Sequence, residues 1–362
     1  MMGKLGCILW LVLLARPLQA EDPLERAWRL ELKGDYMGAV RWYLRAYEEA
    51  PGRQALYGLV RNGFRTGQYE VLVPVLEGYF RAHPEDGDVG LRLGEALYRM
   101  GRVDEAIEVW GRLVRTFLGT SVGRKALVRT AEVLSEHGDY GKLIYLLRSL
   151  KPFPWGTPEG ARAGLLLGEA YVRMDSLRAA EKVYRRLVRE APSYADSARF
   201  MLGEVCLWEG KVEEAEKAWE VVAGNPSSPL ADDAVGRLLR LEEGPEGALR
   251  AFALGLLRLR QGRPEEALEA LGSPELSGSS LEDEAELLRA GIHLEMGDTS
   301  LAVSELEDLA GSGGYLAPEA AYMLGEVLGA GAYEDFLRRY PDDVRAEEAR
   351  RKLRELLGRE DG

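Results

Sequence analysis

The sequence predicts an all-α protein built from a repeated helical hairpin of about 34 residues. Glycines that would end helices recur at nearly constant spacing, and similar apolar side chains stand at fixed distances from each of them. Runs of alternating β-branched residues, which would indicate strands, are absent from the sequence. Apolar residues make up 46% of the 362 residues, so the chain can bury a core along its length.

The turns between paired helices define the repeat. Glycine suits a helix end that needs a left-handed backbone, because it has no Cβ to clash, and one aspartate takes the same place. The predicted turn residues are Gly34, Gly67, Gly101, Gly138, Asp175, Gly210, Gly262 and Gly297, with spacings of 33, 34, 37, 37, 35, 52 and 35 residues.

The side chains around each turn also match. One hairpin places Gly168 before Tyr184 and Pro192, and the next places Gly203 before Trp219. A small residue lets two helices approach, a large aromatic fills the space beside it, and proline ends the second helix. From Leu24 to Leu357 this pattern resembles the tetratricopeptide repeat, TPR. The resemblance implies an α-solenoid, a right-handed superhelix in which the first helix of each hairpin lines a concave groove.

Two segments are similar to exported bacterial members of that family. Tyr184 to Pro192 is followed by Ala195 and Ala198, and the order Tyr333 to Pro341, Ala346 and Ala349 repeats it. Similar runs occur in periplasmic Tol–Pal-associated and outer-membrane assembly TPR proteins. A lipobox and an N-terminal coiled-coil segment are missing from the sequence, so the resemblance bears on location and not on a specific role.

Sequence patterns divide the chain into five parts. Residues 1–20 are typical of a secretory signal peptide cleaved after Ala20, with an uncleaved anchor as the alternative. No apolar run is long enough for a transmembrane helix, so no membrane span is expected after cleavage. The other parts are an N-terminal TPR array (21–243) and a junction helix where the repeat changes phase (244–262). They are followed by an acidic C-terminal TPR array (263–357) and a tail (358–362).

The junction follows from the one irregular turn spacing. Gly210 and Gly262 are 52 residues apart, about one and a half repeats. The helix near 246–261 is therefore either the second helix of one hairpin or the first helix of the next. A long loop or a degenerate repeat is the alternative to a junction.

Acidic residues concentrate near the C-terminus. Residues 263–337 contain 17 Asp or Glu and two Arg, a local charge of 2 − 17 = −15, while the whole chain has a formal charge of −13. Such a charge argues against a nucleic-acid partner bound through its phosphates. The block is either a solvating surface or a docking face for a basic partner. The acidic docking candidates are Glu282, Asp283, Glu284 and Glu286.

The sequence offers no catalytic or metal-binding motif. The three histidines, His83, His137 and His293, stand in no such pattern, and the segment from Gly119 to Lys125 departs from a phosphate-binding loop in its spacing. Cys206 falls on a helix-packing position and is expected to be buried. We therefore expect no enzyme activity, no cofactor and no metal.

The groove is the expected binding surface. The candidate residues, chosen by helical phase, are Leu91, Glu95, Tyr98, Arg99, Arg129, Leu165, Val172, Arg173, Phe200, Leu207 and Trp208. Tyr98, Phe200 and Trp208 would be anchors for a peptide or helix, unless Phe200 or Trp208 packs on a neighbouring helix. Glu132, Glu169 and Glu204 occupy positions where the two-carboxylate clamp of some cytosolic relatives has Asn and Lys.

These observations favour a non-catalytic protein-interaction scaffold of the bacterial cell envelope, periplasmic or otherwise exported. It would bind a peptide or helix of a partner in the concave groove, such as an envelope or outer-membrane protein. One alternative is a self-assembling structural subunit in which the acidic block of one copy meets a basic surface of another. The other is an accessory protein of an envelope enzyme. The sequence leaves the partner and the oligomeric state open.

Overall fold

A computed structural model describes residues 22–360 of the chain. In this range the protein contains twenty α-helices, two short 3-10 turns and no strand, which confirms the predicted all-α class. Residues 1–20, with the expected signal peptide, lie outside the described residues. No helix in the range 22–360 is long and apolar enough to cross a membrane.

The chain divides into two compact units, Met1–Val133 and Leu134–Gly362. The boundary falls within α7, and the boundaries predicted from the sequence remain predictions. The helices of unit 1 are α1 (Pro23–Leu32), α2 (Tyr36–Glu49), α3 (Arg53–Thr66), α4 (Tyr69–Ala82), α5 (Gly87–Arg99), α6 (Val103–Phe117) and most of α7 (Ser121–Glu136).

Unit 2 contains the remaining helices. They are α8 (Tyr140–Ser149), α9 (Pro158–Arg173), α10 (Leu177–Glu190), α11 (Ala195–Trp208), α12 (Val212–Ala223), α13 (Ala231–Glu243), α14 (Glu246–Arg260), α15 (Pro264–Leu271), α16 (Glu282–Met296), α17 (Thr299–Ser312), α18 (Ala317–Leu328), α19 (Ala330–Arg339) and α20 (Ala346–Glu360).

All eight predicted turn residues have a left-handed backbone. Seven are glycines with φ between 71° and 85°, and the eighth, Asp175, has φ 54°. Asp175 is the only non-glycine residue with positive φ in the described chain. Its position, where other repeats have glycine, shows that the turn geometry belongs to the repeat and outweighs the cost of a side chain there.

Paired helices approach closely at a glycine of the first helix. A Cβ built on Gly203 would lie 2.4 Å from the indole nitrogen of Trp219, and one on Gly168 would lie 2.4 Å from the ring of Tyr184. Trp219 and Tyr184 are fully buried in these contacts. The pairing of small and aromatic residues inferred from the sequence is therefore observed.

The same contact identifies the role of α14. Gly168 and Tyr184 are sixteen residues apart, and so are Gly255 and Leu271. A Cβ on Gly255 would lie 2.5 Å from Leu271, so α14 and α15 form a hairpin in which α14 is the first helix. The preceding helix, α13, packs chiefly on α12 and has no hairpin partner of its own.

Candidate functional site

The predicted groove residues of unit 1 form one cluster of charged and aromatic side chains. The carboxylate of Glu95 pairs with Arg99 at 2.9 Å and with Arg129 of α7 at 3.1 Å. The guanidinium of Arg129 lies 4.6 Å from the centre of the Tyr98 ring. Burial alone would lower the pKa of Arg129, but the neighbouring Glu95 and Glu132 outweigh it and raise that pKa. Leu91 lies half-buried one helical turn before Glu95.

The preceding repeat contributes equivalent residues that were not among the predicted groove residues. Tyr57, Arg61 and Phe64 stand 34 residues before Leu91, Glu95 and Tyr98, so the repeat period alone would have identified them. They line a cavity of about 600 Å³ between α3 and α5, together with Val60, Leu76, Asp88, Val89 and Arg92. Tyr57 is 43% exposed, so its ring is accessible to a partner.

Helix α1 continues the same surface. Glu31 accepts two hydrogen bonds from Arg61, at 2.6 and 2.7 Å, and this pairing lowers the pKa of the Glu31 carboxyl. Trp28, one turn before Glu31, is 55% exposed. We call Trp28, Tyr57, Arg61, Phe64, Arg92 and Tyr98 the unit 1 face.

In unit 2 the predicted groove residues of α9 are covered in part by α14. Arg260 pairs with Glu169 at 2.8 Å and approaches the sulfur of Met201 at 3.9 Å. The next residue, Gln261, donates hydrogen bonds to the carbonyl of Val172 at 3.0 Å and to the Asp175 carboxylate at 2.9 Å. The junction helix of the sequence analysis thus lies against the surface expected to bind a ligand.

The remaining residues of α9 are arranged around this contact. Arg173 pairs with Glu169 at 2.9 Å and lies 5.8 Å from the ring of Tyr140. The side chain of Val172 is fully buried, and Leu165 is half-buried. Glu169 therefore accepts from two arginines, one on its own helix and one on α14.

The predicted anchors on α11 face internal partners. Trp208 and Leu207 line a cavity of about 290 Å³ with Leu249, Ala253 and other residues of α14. The indole Nε1 of Trp208 is buried and has no hydrogen-bond acceptor in the described chain. This position beside α14 agrees with the alternative expected for Trp208, packing against a neighbouring helix.

Phe200 and Glu204 complete the inner surface of α11. Glu204 is buried and pairs with Arg237 of α13 at 2.6 Å. The Arg237 guanidinium lies 5.7 Å from the Phe200 ring, and the Phe200 carbonyl accepts from Trp219 Nε1 at 3.1 Å. Charges on this surface are therefore neutralised within the chain.

Each of the acidic candidates on α16 is half-buried. Glu284 pairs with Arg240 at 2.7 Å and accepts from the Tyr315 hydroxyl at 2.9 Å. Glu282 accepts from the backbone N–H of Gly278 at 2.8 Å. Burial, and then the charges of Glu282 and Asp283, raise the pKa of Glu286.

Cys206 is fully buried, as the sequence analysis expected, and burial raises the pKa of its thiol to about 11. Its sulfur and carboxylate oxygens of Glu181 and Glu214 lie within 4.8 Å of one another. Both carboxylates already accept from Arg185, and Glu181 accepts from Lys211 at 2.8 Å as well. This arrangement is an ion-pair cluster beside a protonated thiol.

Comparisons with known proteins match two parts of the chain. Residues 165–229 match the family model of the tetratricopeptide repeat, and residues 26–134 match that of the bacterial transcriptional activator domain. A search of the curated proteins found no significant match. The TPR resemblance is thus supported by a family model within unit 2.

Several solved structures are similar. The TPR domain of P58(IPK) is 14% identical, with 94% of this chain and 98% of that chain covered and a TM-score of 0.30. A tetratricopeptide repeat protein from Parabacteroides merdae is 15% identical, with 85% and 98% covered and a TM-score of 0.36. A chain in the structure of Naa15/Naa10 bound to HypK-THB is 16% identical, with a TM-score of 0.36. The match covers 87% of this chain but only 56% of that chain.

The TPR-like fold is supported by the hairpin geometry and by the TPR family model rather than by these structures. Over residues 22–360 the protein is an all-helical repeat structure with TPR-like hairpins, and this fold supports a role as a protein–protein interaction scaffold in general.

Proposed function

We propose that the protein is an exported, non-catalytic scaffold that binds a peptide or helix of a partner protein on the unit 1 face. The observation that carries the proposal is the difference between the two first-helix surfaces. In unit 2, α14 covers part of the surface of α9 and α11. In unit 1, Trp28 is exposed on α1, and the exposed Tyr57 lines a cavity of about 600 Å³.

The chemistry of the unit 1 face suits a protein segment. Interface hot spots are enriched in Trp, Tyr and Arg, and this face offers Trp28, Tyr57 and Arg92. Arg92 lies 5.6 Å from the Phe64 ring, so a cation and an aromatic surface are presented together. A peptide with apolar side chains and at least one carboxylate would complement this arrangement.

The proposed location depends on the sequence. The basic, apolar and small-residue segments of residues 1–20 are typical of a secretory signal, and the runs after Tyr184 and Tyr333 resemble exported bacterial TPR proteins. We propose the periplasm as the compartment and an envelope protein as the partner. N-terminal sequencing of the exported chain is expected to begin at Glu21, whereas a retained Met1 would favour an anchor.

The binding proposal is tested with matched aromatic variants. The mature chain, with Trp28→Ala, Tyr57→Ala or Tyr145→Ala, is used to capture partners from an envelope extract of its own source. Tyr145 on α8 is 80% exposed and lies in unit 2, so its replacement is the control. The captured partner is then purified and its dissociation from each variant is measured directly.

We expect Trp28→Ala and Tyr57→Ala each to raise the dissociation rate about tenfold or more, because anchors mostly set residence time. Tyr145→Ala should behave like the unchanged chain. Equal dissociation rates for all folded variants would remove the unit 1 face as the binding surface.

A second candidate follows from the match of residues 26–134 to the bacterial transcriptional activator domain. Under this alternative the chain would be part of a regulatory protein that works beside DNA inside the cell. The formal charge of −13 disfavours direct binding to phosphates. Detection of the full-length chain in the cytoplasm with Met1 retained would favour this candidate over the exported scaffold.

A further inference from the structure

Unit 2 contains a cavity of about 740 Å³ that is bounded by the end of α8, the segment after it, α9 and α10. Its lining includes four basic side chains and no aspartate or glutamate. We call this site the basic cavity. The residues used below are Arg148, Lys151, Phe153, Trp155, Lys182 and Arg186.

One wall of the basic cavity is aromatic. The rings of Phe153 and Trp155 lie with their centroids 4.3 Å apart, and Trp155 is 7% exposed. Tyr171 of α9 and Leu167 also line the cavity. The indole Nε1 of Trp155 is buried and has no hydrogen-bond acceptor in residues 22–360. The wall therefore offers an apolar surface on which a ligand side chain can be buried.

The rim of the basic cavity is positively charged. Arg148, Lys151 and Lys182 are exposed and form no ion pair with any described residue. Arg186 lies 4.7 Å from the Trp155 ring and pairs with Glu190, which is outside the lining. The three cations without an ion pair, Arg148, Lys151 and Lys182, lie together in a chain whose formal charge is −13. The local charge is thus opposite in sign to that of the whole protein, which favours an anionic ligand.

We propose that the basic cavity binds an acidic peptide segment of a partner protein, with one apolar side chain against Phe153 and Trp155 and carboxylates at Lys151 and Lys182. The volume is in the range of cavities that hold a few side chains. A small inorganic anion has no apolar group that could pack against the aromatic wall. The combination of an apolar wall and a basic rim is complementary to alternating acidic and apolar residues.

This site is independent of the unit 1 face, since all of its residues lie in unit 2. The probe is a fluorescent peptide of about twelve residues with a central Leu-Phe pair flanked by glutamates, and a matched peptide has glutamine in their place. Binding to the full mature chain is measured by fluorescence anisotropy. The test variant is Lys151→Gln with Lys182→Gln. The control is Lys125→Gln with Lys217→Gln, two exposed lysines outside the cavity without ion pairs in the described chain.

We expect the glutamate peptide to bind and the test variant to weaken binding by about fivefold or more, with a smaller dependence on salt. The control variant and Tyr57→Ala should bind as the unchanged chain does. A fluorine resonance from 5-fluorotryptophan at position 155, assigned by its loss in Trp155→Phe, should shift when the peptide is added.

Four results would overturn the proposal. Equal binding of the glutamine peptide would remove the role of charge, and unchanged affinity of the test variant would remove Lys151 and Lys182. Binding of phosphatidylglycerol-containing vesicles through these lysines, without peptide binding, would assign the site to a lipid surface. Self-association in light scattering that disappears in the test variant, with no peptide binding, would assign the occupant to a second copy of the chain.

Discussion

Glu169 and Arg260 form an ion pair at 2.8 Å although 91 residues of sequence separate them. Other glutamates at the same position of the repeat pair with an arginine about one repeat further on: Glu95 with Arg129 and Glu204 with Arg237. For Glu169 the partner is instead Arg260 of α14, which takes the role that an arginine of the next repeat has in the other two pairs. This pair and the hydrogen bonds of Gln261 attach α14 to α9 within unit 2.

The Glu169–Arg260 pair is expected to stabilise the docked position of α14. Arg260→Gln should lower the free energy of unfolding by about 1–2 kcal/mol, because partly buried Glu169 would keep only Arg173 as its cationic partner. Amide hydrogen exchange in 246–260 should become faster. Urea unfolding and exchange mass spectrometry check both effects.

A matched control exists on the same helix. Arg250 pairs with Glu246 at 3.2 Å, and both side chains are largely exposed. Arg250→Gln should change stability by less than about 0.5 kcal/mol, since exposed i,i+4 pairs contribute little. Similar losses for the two variants would mean that the α9 contact has no special role.

The local architecture could be predicted from the sequence because it depends on short separations. The eight turn residues all adopt the left-handed backbone, and Gly203 and Trp219 meet as inferred. Such features repeat every 34 residues or so, and repetition makes a weak signal recognisable. The same period would have identified Tyr57 and Phe64, had it been extended one repeat towards the N-terminus.

The cover over α9 and α11 could not be predicted in this way. Contact between α9 and α14 depends on small rotations that accumulate from one hairpin to the next. The total rotation cannot be inferred from a local residue pattern. The sequence does carry one hint. Helix α14 is apolar around most of its circumference, with Ala248, Leu249, Phe252 and Leu257 all buried. An all-round apolar helix is expected to be covered on more than one side.

Close helix packing at Gly203 gives a second prediction. A Cβ at this position would lie 2.4 Å from Trp219, so Gly203→Ala should lower the free energy of unfolding by about 1–3 kcal/mol. Gly236 on α13 has open space around it, and Gly236→Ala should stabilise by about 0.5–1 kcal/mol through helix propensity. Chemical denaturation measures both; a neutral Gly203→Ala would show that the hairpin adjusts freely.

The Glu181 cluster predicts a dependence of stability on pH. Burial alone would raise the pKa of Glu181, but hydrogen bonds from Lys211 and Arg185 outweigh it and lower the pKa to about 2, from an ordinary value near 4.5. A lowered folded-state pKa stabilises the fold above the unfolded-state pKa, and this contribution disappears as the pH falls from about 4.5 to 2.

Glu181→Gln should therefore be less stable than the unchanged chain at pH 6, by on the order of 1–2 kcal/mol after solvent screening. The difference should shrink towards pH 2–3. Glu216→Gln, at an exposed glutamate without an ion pair in the described chain, is the control. A difference that is constant between pH 6 and pH 3 would contradict the proposed ionisation.

Trp208 and Trp28 separate a structural role from a binding role. Trp208 lies at the cavity between α11 and α14, and its indole nitrogen is buried, whereas Trp28 is 55% exposed on the unit 1 face. Trp208→Ala should lower the free energy of unfolding by about 1–3 kcal/mol, because it removes apolar area between two helices and leaves a void. Trp28→Ala should change it by less than about 0.5 kcal/mol. Denaturant unfolding of the two variants gives these values, and partner dissociation from each folded variant gives the other half of the comparison.

If α14 stays docked while a partner is bound, Trp28→Ala should speed dissociation and Trp208→Ala should not. The reverse order, with stability unchanged in Trp208→Ala and faster dissociation from it, would mean that α14 leaves the surface and that the partner binds where this helix lies.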